Sequence, residues 1–206
     1  MERLKTRRQF VTLFTLVTTV SFSQIKTDYK KPALDILTET YKVLEKRIET
    51  ISDVELHYVP KDKGWSVLNN LEHLAIVEKA LHHKLKELIS AGESPEAVDL
   101  SKNDWLIITQ VTDRTNKVKT AETLEPQADM KDKDKTYFMG EIKTYRDKTI
   151  HLINSADVDL RKVIGPYLYG KADALQQATI IGAHAYRHTM QIEEILKEIN
   201  ELETLK

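Results

Sequence analysis

Seven histidines and no cysteine bound the chemistry open to this 206-residue chain. Two of the histidines fall in the run His184-Ala-Tyr-Arg-His188, a spacing that in a helix puts two imidazoles one turn apart on one face. A third, His73, lies in another helical stretch, Trp65 to Leu88. A neutral imidazole carries one donor and one lone pair, so two rings on a buried face are costly unless both atoms of each are satisfied. A divalent metal ion meets that requirement, because each ring can ligate through one nitrogen and hydrogen-bond through the other. The same spacing also arises where both rings are ordinary core residues, and the spacing alone leaves that reading open. Zinc metalloproteases place a glutamate directly after the first histidine; Ala185 stands here, which disfavours their mechanism.

Other residues qualify by position. Gln191 lies one turn beyond His188 and Arg187 directly before it, so either can orient a ligand or contact a substrate, or simply meet solvent. Glu78 stands among Leu71, Leu74 and Leu85, where a carboxylate needs a partner or a raised pKa. It reads as one half of a buried pair with an arginine, as an i, i+4 neighbour of His82, or as a catalytic base. Arg146 could reach inward to Glu78 or to an anionic substrate, although an exposed salt bridge is the simpler role. His82 and His83 come where the helix turns polar and read as a solvated face. His57 falls in a connection, and His151 falls off its helix's apolar stripe.

These residues need long helices to hold them. Leu34, Leu37, Tyr41, Leu44, Ile48 and Ile51 recur at steps of three and four after Pro32, marking the apolar face of a first helix. Ser52 to Gly64, with Pro60 and a charged run, reads as a connection. Ser66 is an N-cap for a second helix, which is apolar around most of its circumference apart from a strip at Glu72 and Lys79. On that helix His73 points away from the strip and into protein. The segment Gly92 to Lys135 is the least regular and long for a simple crossover, the length at which a connection can be a lid. Within it, Trp105 is expected to pack over the bundle or its mouth. A third helix covers roughly Thr136 to Asn154, with Phe138, Ile142, Tyr145, Thr149 and Leu152 on one face. Leu160 to Tyr169 reads as an apolar connection broken by Gly165-Pro166. Asp173 and Gln176 then resemble a capping box opening a last helix to Leu202, whose stripe holds His188, with His184 at its edge.

Composition agrees with an all-α protein. Glycine and proline are scarce and 31% of residues are charged. An apolar share of 41% suffices for one sizeable core and calls for no second domain. The formal net charge of -1 offers no basic surplus for nucleic acid. The absence of cysteine removes disulfides, thiolate catalysis and lipoprotein anchoring. Residues 1–23 read as an export signal: a basic start, an apolar run from Phe10 to Phe22, and Ser21-Phe22-Ser23 as the cleavage site. The run is short for a permanent membrane anchor. Thr6-Arg7-Arg8-Gln9-Phe10-Val11 resembles a twin-arginine signal, and both export routes fit it. The mature chain, residues 24–206, would hold 27 basic and 31 acidic residues, a net charge of -4, in the periplasm or outside the cell.

A family resemblance joins these pieces. Trp65-Ser66 leading into Glu72-His73-Leu74, Val111-Thr-Asp-Arg114 with Leu124-Glu-Pro126, and Gly170 ahead of His184-x-x-Arg187-His188-x-x-Gln191-Ile192 resemble the DinB-like superfamily, in particular its YfiT-like branch. The resemblance spans nearly the whole mature chain. It implies a four-helix bundle in which His73, His184 and His188 bind a divalent metal ion, commonly nickel or zinc. It also implies a metal-dependent hydrolase acting on a small-molecule substrate or a thiol-dependent S-transferase; a non-enzymatic metal- or small-molecule-binding bundle is the alternative that the residues themselves leave open. The export signal favours the hydrolase, since low-molecular-weight thiols are chiefly cytoplasmic. Bundles of this kind often pair, so a homodimer is compatible with the sequence.

Overall fold

The computed structural model describes residues 28–115, 119–127 and 132–204. The export segment expected at residues 1–23 lies outside them. Helix α1 (Lys31–Glu49) starts with proline in its first turn and ends on Lys46 and Arg47, cations that suit the negative end of the helix dipole. The connection expected after it contains a short helix, α2 (Asp53–His57), closed by a reciprocal capping box between Ser52 and Glu55. His57 is exposed there. Helix α3 (Val67–Ser90) opens on the expected Ser66 cap, with Asn69 returning the bond to the Ser66 N–H. It stops before Gly92, whose φ of 83° is the left-handed conformation that commonly ends helices.

Helix α5 (Lys135–Ser155) and helix α6 (Ala174–Thr204) complete the four long helices. Cross-helix contacts give their directions. Glu78 meets Arg146 and His82 meets Thr149, so α3 and α5 run parallel. Asn70 meets His188 and His73 meets His184, so α3 and α6 are antiparallel. Ile36 lies against Gly182 and Arg47 pairs with Glu193, so α1 and α6 are parallel. A side chain at Gly182 would place its Cβ 2.7 Å from Ile36, so only glycine permits that approach.

The parallel α3–α5 pair explains the long middle segment. A 24-residue helix is about 36 Å long at the usual rise, and the chain must travel back that distance before α5 can start. On the way it forms helix α4 (Asp104–Thr112) and a single turn at Glu122–Leu124. Helix α4 lies along α6 and buries Ile107, two residues and about 200° of helical rotation from Trp105. Trp105 is consequently 66% exposed, which corrects the expectation that it packs over the bundle or its mouth. Between α5 and α6, where an apolar connection is expected, the chain forms a hairpin, strand β1 (Ile164–Tyr167) antiparallel to β2 (Gly170–Asp173). The Asp173–Gln176 capping box forms in both directions at the start of α6.

The core divides along the bundle axis. One apolar cluster gathers Leu44, Leu71, Leu74, Phe138, Ile142 and Ile192, the other Leu37, Leu85, Ile153, Leu160, Leu175 and Ile181. Between them along each helix sits a buried ion pair, Arg146–Glu78. The expected surface role of Arg146 is thus overturned: it is the i+4 neighbour of Ile142, and the inward stripe of α5 is Phe138, Ile142, Arg146, Thr149 and Ile153. His82 is likewise buried against α5, not solvated. Glu72, expected on a polar strip, is buried where the crossover passes over α3 and accepts from the Gln127 N–H. Among the described residues no helix is long and apolar enough to cross a membrane.

Candidate metal centre

The antiparallel seam of α3 and α6 brings His73, His184 and His188 together, with one ring nitrogen from each within 4.8 Å of the others. The Nε2 atom of His184 lies 3.4 Å from that of His73 and 3.2 Å from that of His188. The neighbours assign the tautomers of the outer two rings. His73 Nδ1 is 2.7 Å from the Leu124 carbonyl oxygen, which can only accept, so the ring proton is on Nδ1. Asn70 donates through Nδ2 to the Ser66 carbonyl at 2.8 Å, which turns its Oδ1 toward His188. His188 Nδ1 then donates to that oxygen at 2.8 Å.

Two Nε2 lone pairs therefore face the Nε2 of His184. That atom carries at most one proton and can bond one of them, so at least one acceptor stays opposed to another. A single cation shared by the three atoms removes the conflict, and the donor set of three neutral imidazoles is one that zinc and nickel accept. Trp65 walls the group, its ring centroid 4.7 Å from that of His73 and 6.2 Å from that of His188.

Electrostatics keep the rings in the neutral form that ligates. Burial is the main cause for each. It holds the pKa of His184 down at about 3, helped by the charges of His73, Arg187 and Arg146. It also holds His188 well below the ordinary value, with His184, His73, Arg187 and Arg114 adding to the effect. His73 is lowered by burial too, against the opposing pull of the Leu124 carbonyl and the Glu125 carboxylate.

Of the other expected site residues, none presents a free group to this cluster. Glu78 is held by two guanidinium bonds from Arg146, one through Nε at 3.2 Å; Arg146 also donates to Thr40 Oγ1 at 3.0 Å and to the Leu37 carbonyl. Burial raises the Glu78 pKa and the arginine opposes the rise. Arg187 donates to the carbonyls of Val111 and Asp113, closing the C-terminal end of α4. Gln191 accepts from Arg114 at 3.5 Å, and Arg114 pairs with Glu194. Arg187 and Gln191 thus fasten the crossover to α6.

Sequence reasoning assigned no role at the site to Asn70, the Leu124 carbonyl or Glu125, although Leu124-Glu-Pro126 is one of the runs that carry the family resemblance. Asn70 left a signal, since an amide on an otherwise apolar helix face needs a partner. A backbone carbonyl leaves none. Two surface grooves, of about 510 Å³ beside Tyr41, Glu45 and Lys135 and about 400 Å³ beside Arg47 and Glu193, include none of the three histidines.

A family model of the DinB superfamily matches residues 36–192, a span that runs from α1 through all three histidines. The chain belongs to the DinB superfamily. No curated protein and no solved structure matches it.

Proposed function

We propose that His73, His184 and His188 bind one divalent metal ion, nickel or zinc, and that the chain is a metal-dependent hydrolase of a small-molecule substrate. The observation that carries the proposal is the pair of outer hydrogen bonds, from His73 to the Leu124 carbonyl and from His188 to Asn70, which commit both Nε2 lone pairs to one point. Three protein ligands are the number found in catalytic sites, where a further position is left for water or substrate. An ion held there would supply Lewis acidity and a water of lowered pKa.

The chain's own residues would do the rest. Asn70 and the Leu124 carbonyl hold the rings in their ligating tautomers. Trp65 shields one side of the cluster from water. The Glu125 carboxylate acts on His73 through its charge, opposing the fall in the pKa of that ring, and is the group we assign as proton acceptor. Glu78, already paired, is not required for that role.

The test is metal analysis of protein purified without a histidine tag, followed by a panel of esters, amides and lactones, with His188→Ala and Glu125→Gln beside the parent. Stoichiometric metal lost in His188→Ala, with turnover lost in both variants, supports the proposal. Turnover that survives His188→Ala refutes a metal mechanism. Export from the cytoplasm is part of this reading and rests on residues 1–23 alone; N-terminal sequencing of secreted protein starting at Gln24 would support it.

A further inference from the structure

A second histidine group lies on the other seam of α3, against α5. The Tyr145 ring has His82 and His83 at 5.7 Å each between ring centroids, Lys148 Nζ at 4.5 Å and Lys79 Nζ at 5.9 Å. The two imidazoles are 5.5 Å apart. Among the described residues neither Lys79, Lys86 nor Lys148 makes an ion pair. After burial, the groups that lower the pKa of His82 are His83, Lys148 and Lys86. Such a field repels a metal cation and attracts an anion.

His82 narrows the kind of anion. It is only 7% exposed, and its Nδ1 lies 3.1 Å from Thr149 Oγ1. The Thr149 hydroxyl spends its own proton on the Tyr145 carbonyl at 2.9 Å, so it can only accept from the ring. The proton of His82 is therefore on Nδ1. Its Nε2 makes no hydrogen bond in the chain yet is not sealed from solvent. Burial and the surrounding cations lower the pKa of His82, so that nitrogen presents a lone pair. The cluster thus offers ammonium donors beside one acceptor. An anion that fits both must carry negative oxygens and an O–H.

We propose that this face of α3 and α5 binds a hydrogen phosphate group, free or as the singly protonated form of a phosphate monoester, with Lys79 and Lys148 on its charged oxygens and His82 Nε2 accepting its P–O–H proton. Sulfate, which has no O–H to give at neutral pH, meets only half of the site. The site does not depend on the metal proposal, because it shares no residue with the three-histidine cluster.

The test follows the ring resonances of His82 and His83 in the full chain by NMR during titration with inorganic phosphate, and with sulfate at matched ionic strength. A saturable shift with phosphate, several-fold weaker with sulfate, is expected. The Lys79→Met/Lys148→Met double variant, altered only at exposed positions, should bind phosphate about tenfold more weakly. His188→Ala should bind it as the parent does, which separates this site from phosphate held at a metal. No saturable shift, an equal response to sulfate, or full affinity in the lysine variant would overturn the proposal. Co-sedimentation with phosphatidic acid vesicles but not phosphatidylcholine vesicles would place the phosphate on a lipid headgroup; co-sedimentation with neither, alongside the solution shift, would place it on a soluble ligand.

Discussion

Helix α3 carries two buried polar groups that end very differently. On the side facing α1 and α5, Glu78 and Arg146 leave no nitrogen or carboxylate oxygen without a partner: each carboxylate oxygen takes one guanidinium bond, and Nη1 reaches Leu37 and Thr40. On the side facing α6, His73 and His188 are satisfied at Nδ1 and left facing other nitrogens at Nε2. A closed network can be kept for the fold alone, whereas an open one implies something that the chain does not itself supply. Burial by itself does not separate the two, since Glu78 and His73 are both nearly inaccessible.

The sharpest way to break the contrast is His188→Ala, which should abolish stoichiometric metal binding while the metal-free variant melts close to the metal-free parent. Metal retained at one equivalent would mean that the cluster is not the site. Glu78→Ala should do the reverse. It strands a buried guanidinium and should cost about 3–5 kcal/mol in denaturant unfolding, with metal stoichiometry intact in the fraction that folds. Exchanging both partners for apolar residues, Glu78→Met with Arg146→Leu, should recover most of that loss.

A smaller effect is expected at Asn70. Asn70→Ala removes the acceptor that orients His188 and should weaken metal binding by about 10–100-fold, measured by competition with a chelator. Asn70→Asp keeps an oxygen in place and should lose less; equal losses in the two would mean that packing, not the hydrogen bond, is what Asn70 provides.

The smallest effect separates the two regions by acid. The pKa values of His73, His184 and His188 in the folded chain lie below the ordinary 6.5, that of His184 at about 3. Below 6.5 the unfolded chain therefore binds protons that the folded chain refuses. The stability of the metal-free protein should be at its full value above about pH 6.5 and decline as pH falls toward 3, by at most about 1.4 kcal/mol per pH unit for each proton. His184→Gln should flatten that slope, which urea titrations at several pH values would reveal; an unchanged slope would place the acid sensitivity elsewhere.

Much of this was legible in the sequence, for reasons that differ by residue. Ser66, Asp173 and Gln176 declare helix starts through local hydrogen bonding, and the chain obeys them. The direction of His73 followed from helical periodicity, and the association of three distant histidines from a family pattern that the DinB match upholds. Arg146, His82 and Trp105 were misplaced because each depends on how one helix is rotated against another. A stripe drawn through Tyr145 instead of Arg146 differs by a single residue, about 100° of rotation, and exchanges surface for core. The hairpin after Leu160 was hidden because its register depends on packing against α3, where Gly165 leaves room for Leu88 and no side chain of its own.

The Leu124 contact has a consequence for how the family can vary. The group that fixes His73 is a main-chain oxygen, so the residue type at position 124 is nearly free to drift without disturbing the ring. The length of the crossover is not. One residue inserted between Glu122 and Gln127 would displace that oxygen by the span of a peptide unit, about 3.8 Å. The constraint that this one contact adds therefore falls on insertions and deletions more than on substitutions at position 124.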